Sequence, residues 1–436
     1  LKKSLLLLLV ACALVLVQAG LAGAAPRAGL DRSYGSQGIA DIGSQAGGAA
    51  TEAWAAFGDG ATVVLRSRWE CGQPRCTRSL TMQHYASNGE FDQSFGAGSG
   101  AVTIAQRLTT PIRSGLAVDP EGRILASWGT TGIAVVTRFN ADGSLDPSFG
   151  AGGSVSLPCP CGEGEGSAGV VLLPGGKVLL HRIGRNPQDP GVDALTLWRL
   201  LPDGALDPSF AGGAPEGASI DFHYGAAPRF FAAAPNGSLL LAGGPGCCEE
   251  NRHAYLYRVS GKGKLVHGFM ANAAHSLQAL PDFGEAAISS LIVRGSGRID
   301  LLGSKAVGGG GYLFRLRADG RRDRGFGKRG LNQLAWPIVT AAGDSGGGTL
   351  VVDQDTVRGA LVVHRLFPNG RVDRRLGGAL GAAAFGVPIL NGLEAVTTPR
   401  GRALVFVGGT PECRYGNCEQ KPRLAMFQEP PLRKRG

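Results

Sequence analysis

Short apolar runs separated by glycine turns fill this chain, and its third unit shows the pattern most plainly. Ser154–Leu157 predicts a short strand, A, and Gly169–Leu173 a second, B. Pro174-Gly175-Gly176 predicts a tight turn, Lys177–Leu180 a strand C and Ala194–Leu201, after a variable loop, a strand D. Asp203-Gly204 then turns the chain onward, since such pairs supply the positive φ that tight turns demand. The B-turn-C hairpin returns at Leu116–Ser127, Phe230–Ala242, Leu291–Leu302 and Ala395–Val407. Strand D returns at Val135–Phe139, Ala254–Val259, Tyr312–Leu316 and Leu361–Leu366. Most of these runs are apolar on both faces, as in sheets covered on both sides.

A repeated phrase follows each strand D. Leu145-Asp146-Pro147-Ser148-Phe149-Gly150 returns as Leu206-Asp207-Pro208-Ser209-Phe210-Ala211. Looser copies at Leu30–Gly35, Phe91–Gly96, Leu265–Met270, Arg322–Gly327 and Val372–Gly377 make seven, spaced 50 to 61 residues apart. A period of this size signals a repeat architecture. Within the phrase stand Asp31, Asp92, Asp146, Asp207, Asp323 and Asp373, with Val266 the exception. Eight residues earlier stand Arg138, Arg199, Arg258, Arg315 and Arg365, with His84 in the second copy. The simplest role for the aspartates is structural, because carboxylates satisfy free N–H groups in tight turns. Phe95, Phe149, Phe210, Phe269 and Phe326 read as wedges between units.

Seven units of four strands predict an all-β fold, a seven-bladed β-propeller over residues 25–430, which buries both faces of each sheet and leaves short edges. A solenoid would need capping ends with a polar outer face, and none is evident. Gly38–Ile42 reads as the opening strand A and Leu424–Gln428 as the closing strand D. The phrase, with a Gly-[Lys/Arg]-[Ile/Val]-Leu hairpin downstream, resembles the delta-60 repeat of bacterial secreted proteins. The resemblance covers nearly the whole chain after residue 24; it implies architecture and no particular activity.

Composition adds an address. Lys2 and Lys3, the apolar Ser4–Val17 and the small Ala22-Gly23-Ala24 read as a signal peptide over residues 1–24. A second reading is a lipid anchor on Cys12. The leading Leu1 reads as a non-standard start codon, hence a bacterial source, and a secreted or extracytoplasmic monomer with no membrane span is expected. The formal charge of +10 falls to +5 without Lys2, Lys3 and the basic tail Arg433-Lys434-Arg435, within residues 431–436. With basic residues counted as recurring once per repeat, nucleic-acid binding is not expected, because it needs clustered positive charge.

In a propeller the A–B and C–D loops share one face, and the B–C turns and phrases share the other. The first is variable in sequence, so a ligand is expected there. All eight cysteines after residue 24 fall on it. Cys71/Cys76 and Cys413/Cys418 are expected to be local disulfides. Cys159, Cys161, Cys247 and Cys248 stay open between cross-bonding of two loops and a thiolate metal site, although they lack zinc spacing. His223, Glu249, Glu250 and His253 stand near them as candidate ligand-binding residues. No cofactor or metal is expected.

Three stretches mislead by their letters. Gly343-Asp344-Ser345-Gly346-Gly347 and Ala273-Ala274-His275 spell protease segments, but Ser345 falls at a B–C turn and His275 in a strand A of another unit. Gly308–Gly311 lacks the Lys-Ser/Thr of a phosphate loop. Asn236-Gly237-Ser238 is a glycosylation sequon inside a tight turn. No catalytic residue is assigned. The favoured reading is a non-catalytic scaffold for an extracellular protein or glycan. The alternative is a propeller enzyme of lactonase, lyase or glycosidase type, with carboxylates or histidines at the channel mouth.

Overall fold

The computed structural model describes residues 29–42, 49–72, 76–109, 112–130, 132–160, 166–223, 227–243, 254–267, 269, 286–305, 310–344, 346–355, 360–376, 382–385, 393–397, 402–407, 411–414, 417–420 and 423–428. Among them the strands form seven sheets of three to five strands and one two-stranded hairpin. The first sheet runs Ala49–Ala56, Thr62–Cys71, Cys76–Tyr85, Ala101–Leu108. The second runs Gly115–Val118, Ile124–Thr130, Ile133–Phe139, Ser154–Pro158. The third runs Gly166–Leu172, Val178–Asn186, Asp189–Leu200, Ala218–His223, with Ile112–Arg113 added in parallel. Three strands of the fourth are described: Phe230–Ala233, Leu239–Gly243 and Tyr255–Val259. The fifth runs Ala286–Val293, Ile299–Lys305, Gly311–Leu316, Leu331–Gln333, and the sixth Thr340–Gly343, Thr349–Asp355, Ala360–Leu366, Ala382–Phe385.

The seventh sheet joins the two ends of the described chain. Leu393–Thr397, Arg402–Val407 and Arg423–Gln428 lie side by side, and Gly29–Leu30 and Ile39–Asp41 pair with Arg423–Gln428 from its other edge. Ile39 faces Ala425 and Ala40 faces Leu424 in that register.

The structure fixes which sheet strand A joins: it closes the sheet before it. Ser154–Pro158 pairs antiparallel with Ile133–Phe139, Val155 opposite Val136. The cause is the phrase itself, a short connection that folds the chain back onto strand D. Helix is confined, among the described residues, to short turns at Phe95–Gly98, Pro174–Gly176 and Ala211–Gly213, each interrupted by a glycine at positive φ.

The core lies in the gaps between successive sheets. Leu65 and Met82 of the first meet Ile124 and Phe139 of the second. Leu125 and Val136 meet Leu180 and Trp198 of the third. Leu195 and Leu197 meet Leu239 and Leu241 of the fourth, while Leu240 and Leu256 meet Leu301 and Phe314 of the fifth. Leu302 and Leu313 meet Val351 and Leu366 of the sixth. Val352 and Val363 meet Val405 and Phe427 of the seventh. Leu424 and Met426 of the seventh then meet Trp54 and Val64 of the first. Adjacent residues such as Leu239 and Leu240 thus serve different gaps, which is why these strands are apolar on both faces.

Candidate functional site

The phrase builds a latch on one face of the molecule. Asp146 Oδ1 accepts the Ser148 N–H at 3.0 Å and the Ser148 hydroxyl at 2.6 Å, and Oδ2 accepts Arg138 Nε at 2.8 Å. Asp207 repeats this with Ser209 at 2.9 and 2.6 Å and Arg199 Nε at 2.8 Å, and adds Lys177 Nζ at 2.7 Å. Asp92 repeats it with Ser94 and with His84 Nδ1 at 2.9 Å. Burial pushes the Asp207 carboxyl up, but Lys177, Ser209 and Arg199 outweigh it and hold the group well below the usual carboxylate range. The Ser148 hydroxyl and Arg138 lower Asp146 against the same opposition.

The aromatic residue completes the latch. The Arg138 guanidinium stands 4.5 Å over the Phe149 ring, and Arg199, Arg258 and Arg315 stand 5.0, 4.2 and 4.0 Å over Phe210, Phe269 and Phe326. His84 stacks on Phe95 at 5.3 Å. Each ring wedges under the next sheet. A Cβ added at Gly143, where φ is +86°, would lie 2.8 Å from Phe95, and one at Gly370 would lie 2.6 Å from Phe326. The backbone is stitched there too, Gly96 N to Asp142 O at 2.8 Å and Gly150 N to Asp203 O at 2.7 Å.

The fifth and sixth sheets depart from this pattern, and the gap between them opens into a groove. Two cavities of about 820 and 1260 Å³ share Pro368 and Asn369 in their walls. Asp300, fully buried, lies behind two arginines of the first cavity's wall, Arg294 and Arg315. It accepts Arg315 Nε and Nη2 at 2.6 and 2.8 Å and Arg294 Nε and Nη2 at 3.0 and 2.6 Å. Arg315 is thereby drawn off Asp323, which pairs instead with the exposed Arg298 at 3.0 Å. Arg365 likewise turns to Asp344 at 2.9 Å, leaving Asp373 at 3.7 Å. The second cavity has Asn332, Gln333 and Trp336 on one wall and Arg371, Arg374 and Arg375 on the other. Arg375 holds Asp373 at 2.6 Å; Arg371 and Arg374 are exposed and make no ion pair among the described residues.

This corrects the expectation that basic residues are spread once per repeat. Phrases five to seven follow one another along the sheets and bring their cations to one side of the face. The signal was in the sequence, in Arg321-Arg322-Asp323-Arg324 and Arg374-Arg375, and counting by repeat hid it. The first cavity is walled by B–C turns and phrases, and the second runs from a phrase wall along Asn332 to Trp336 into an A–B connection.

The residues singled out on the variable face fare differently. Cys71 and Cys76 form a disulfide across facing positions of their hairpin. Cys413 and Cys418 face each other in the Pro411–Arg414/Asn417–Gln420 hairpin; their side chains lie outside the described residues. Cys159 is buried and disulfide-bonded, whereas Cys161, Cys247 and Cys248 lie outside the described residues. So do Glu249, Glu250 and His253; His223 is placed only as the end of its strand. Asp344 of the protease-like segment is buried and accepts Arg365 Nε and the Gly348 N–H, a structural use; Ser345 and His275 lie outside the described residues. Among the described residues no cluster of His, Cys, Asp or Glu is placed to hold a metal, and no helix is long and apolar enough to cross a membrane.

The first strands of the sheets carry mainly small residues, as in Ala49–Ala56 and Thr340–Gly343. Glu52, on the first of them, is engaged by the Ser67 hydroxyl at 2.5 Å and Arg78 Nη1 at 3.1 Å.

Comparison with known proteins adds the following. Residues 129–149 and 189–210 match a domain of unknown function (DUF5122) described as a β-propeller. Each segment spans a strand D and most of the phrase after it. No curated protein matches the chain in sequence. Among solved structures, the polysaccharide lyase Uly1 is similar at 10% identity and a TM-score of 0.49, over 85% of this chain and 90% of that one. Sqt1 from Chaetomium thermophilum, bound to the N-terminus of the ribosomal protein L10, is similar at 12% and 0.44, over 89% and 99%. The β-propeller domain of the Trilobed protease from Pyrococcus furiosus is similar at 10% and 0.33, over 76% and 93%. At these scores the likenesses carry no argument about this chain. The sequence match and the four-stranded antiparallel sheets support a β-propeller repeat protein.

Proposed function

We propose that this chain is an extracytoplasmic, seven-bladed β-propeller scaffold that binds without catalysing a reaction. Residues 25–430 form the ring, residues 1–24 serve as the export signal, and the groove between the fifth and sixth sheets is the working surface. The ring is supported by the seven apolar clusters, each bridging successive sheets and one bridging the seventh to the first. The observation that carries the binding reading is the groove itself, where exposed guanidiniums and amides meet in a concave wall. Its carboxylates among the described residues, Asp323, Asp344 and Asp373, are all engaged by arginines, so none of them stands ready as a general acid or base. Electron microscopy down the axis should show seven spokes; six, eight or an open arc would overturn the ring. Calorimetric titration with a bound ligand should end at saturation; heat that continues at constant rate would overturn the non-catalytic reading.

A further inference from the structure

We propose that the groove, with the phrase-bearing turns beside it, binds an acidic polysaccharide through its carboxylate or sulfate groups; this rests on the binding reading above. Over the thirteen residues from the strand-D cation through the phrase, residues 84–96 carry a net −2, and residues 138–150 and 199–211 a net −1 each. The same turns at residues 258–270, 315–327 and 365–377 each carry +3. The fourth, fifth and sixth sheets, which bear these three, are consecutive. The turns share one backbone plan, so the sign change is not required by the fold.

The positive side is also largely unspent. Lys262, Lys264, Arg321, Arg324, Lys328, Arg329, Arg371 and Arg374 are exposed and make no ion pair among the described residues. Cations gathered along concave, low-dielectric walls raise the local concentration of anions. Guanidiniums present planar forks that fit carboxylate and sulfate oxygens.

The groove's other groups choose among polyanions. Single-stranded nucleic acid is held largely by bases stacking on free aromatic faces. The aromatic rings among its described lining are already engaged: Trp336 stacks on His364 at 3.7 Å, Arg375 stands 5.1 Å from Phe367 and Arg315 stands 4.0 Å over Phe326. What remains beside the guanidiniums is the amide of Gln333 and the amide nitrogen of Asn369, whose Oδ1 already accepts the Arg371 N–H at 3.0 Å. An amide both donates to and accepts from a hydroxyl. Alternating anionic groups and hydroxyls are the chemistry of an acidic sugar chain.

The test uses the full chain and measures binding to heparin, polygalacturonate, neutral dextran, oligo(dT), duplex DNA and phosphatidylglycerol vesicles. The expected result is binding to heparin or polygalacturonate, none to dextran, and affinity that falls as salt rises from about 0.05 to 0.3 M. Arg371→Glu combined with Arg374→Glu should weaken binding roughly tenfold or more, whereas Arg107→Glu, an exposed change on the first sheet, should not. Unchanged thermal unfolding of both variants confirms the fold. Binding of DNA or vesicles as tightly as the polysaccharides would overturn the ligand class while leaving the groove as the working surface. Affinity that ignores the double substitution would overturn the groove, and binding of no probe would overturn both. Cleavage of a bound polysaccharide would support the ligand class and overturn the non-catalytic reading.

Discussion

The second and third sheets and the fifth and sixth are built from the same turn, yet they resolve its charge in opposite ways. In the first pair, Arg138 and Arg199 are consumed by Asp146 and Asp207, each buried and each bonded to the serine two residues on. In the second pair, an added carboxylate takes the strand-D arginine: Asp300 takes Arg315 and Asp344 takes Arg365. The phrase aspartate is released to outer arginines, Arg298 and Arg375. A latch made redundant in this way tolerates Arg-Arg-Asp-Arg where the other half keeps Leu-Asp-Pro-Ser. The stability function has moved inward, and the surface is left to carry charge.

The largest difference between the two pairs of sheets is expected at the latch. Asp207→Ala should strip a buried Arg199 of its carboxylate and cost about 3–5 kcal/mol. Asp323→Ala should cost less, about 1 kcal/mol, because it loses a pair with the exposed Arg298 and one long turn bond from the Gly325 N–H at 3.3 Å. Urea unfolding of both variants decides this, and equal losses would mean that the two halves are held alike. Acid sharpens it. The Asp207 and Asp146 carboxyls are lowered in the folded protein. Their contribution is therefore complete above the unfolded value of about 4 and is lost as pH falls through the lower folded values. Unfolding temperature should drop steeply below about pH 4, and Asp207→Asn should flatten that drop.

A smaller effect is expected in the gaining direction. The fourth phrase lacks the aspartate: Val266 takes its place, and Arg258 Nε makes no hydrogen bond among the described residues. The backbone is already arranged for it, with Val266 N donating to Arg258 O at 2.8 Å as Asp146 N does to Arg138 O at 3.0 Å. Val266→Asp should therefore stabilise by about 1 kcal/mol, read as a raised urea midpoint at unchanged slope. A neutral or destabilising outcome would show that the spacing alone does not make the latch.

Much of this was legible in the sequence, because turn chemistry is local. Asp-Gly, the Ser after the phrase Asp and the Phe beyond it each act within a few residues, so the hairpins and latches follow from spacing. The sheet that strand A joins is not legible, because spacing does not say which sheet a strand joins; Ser154–Pro158 sits next in the chain to both candidates. The change of partner at Arg315 depends on register: Asp300 faces it across the sheet where Leu179 faces Arg199. The groove was missed because its charge is a property of neighbouring units, and a nearly balanced total conceals an acidic side and a basic one.

The most direct measurement is hydrogen–deuterium exchange of the intact chain with and without heparin. Protection is expected over residues 317–329 and 367–375, with none at residues 140–150 and 201–211, although the four turns share one fold. Equal protection of both halves, or protection confined to the variable loops on the opposite face, would contradict it.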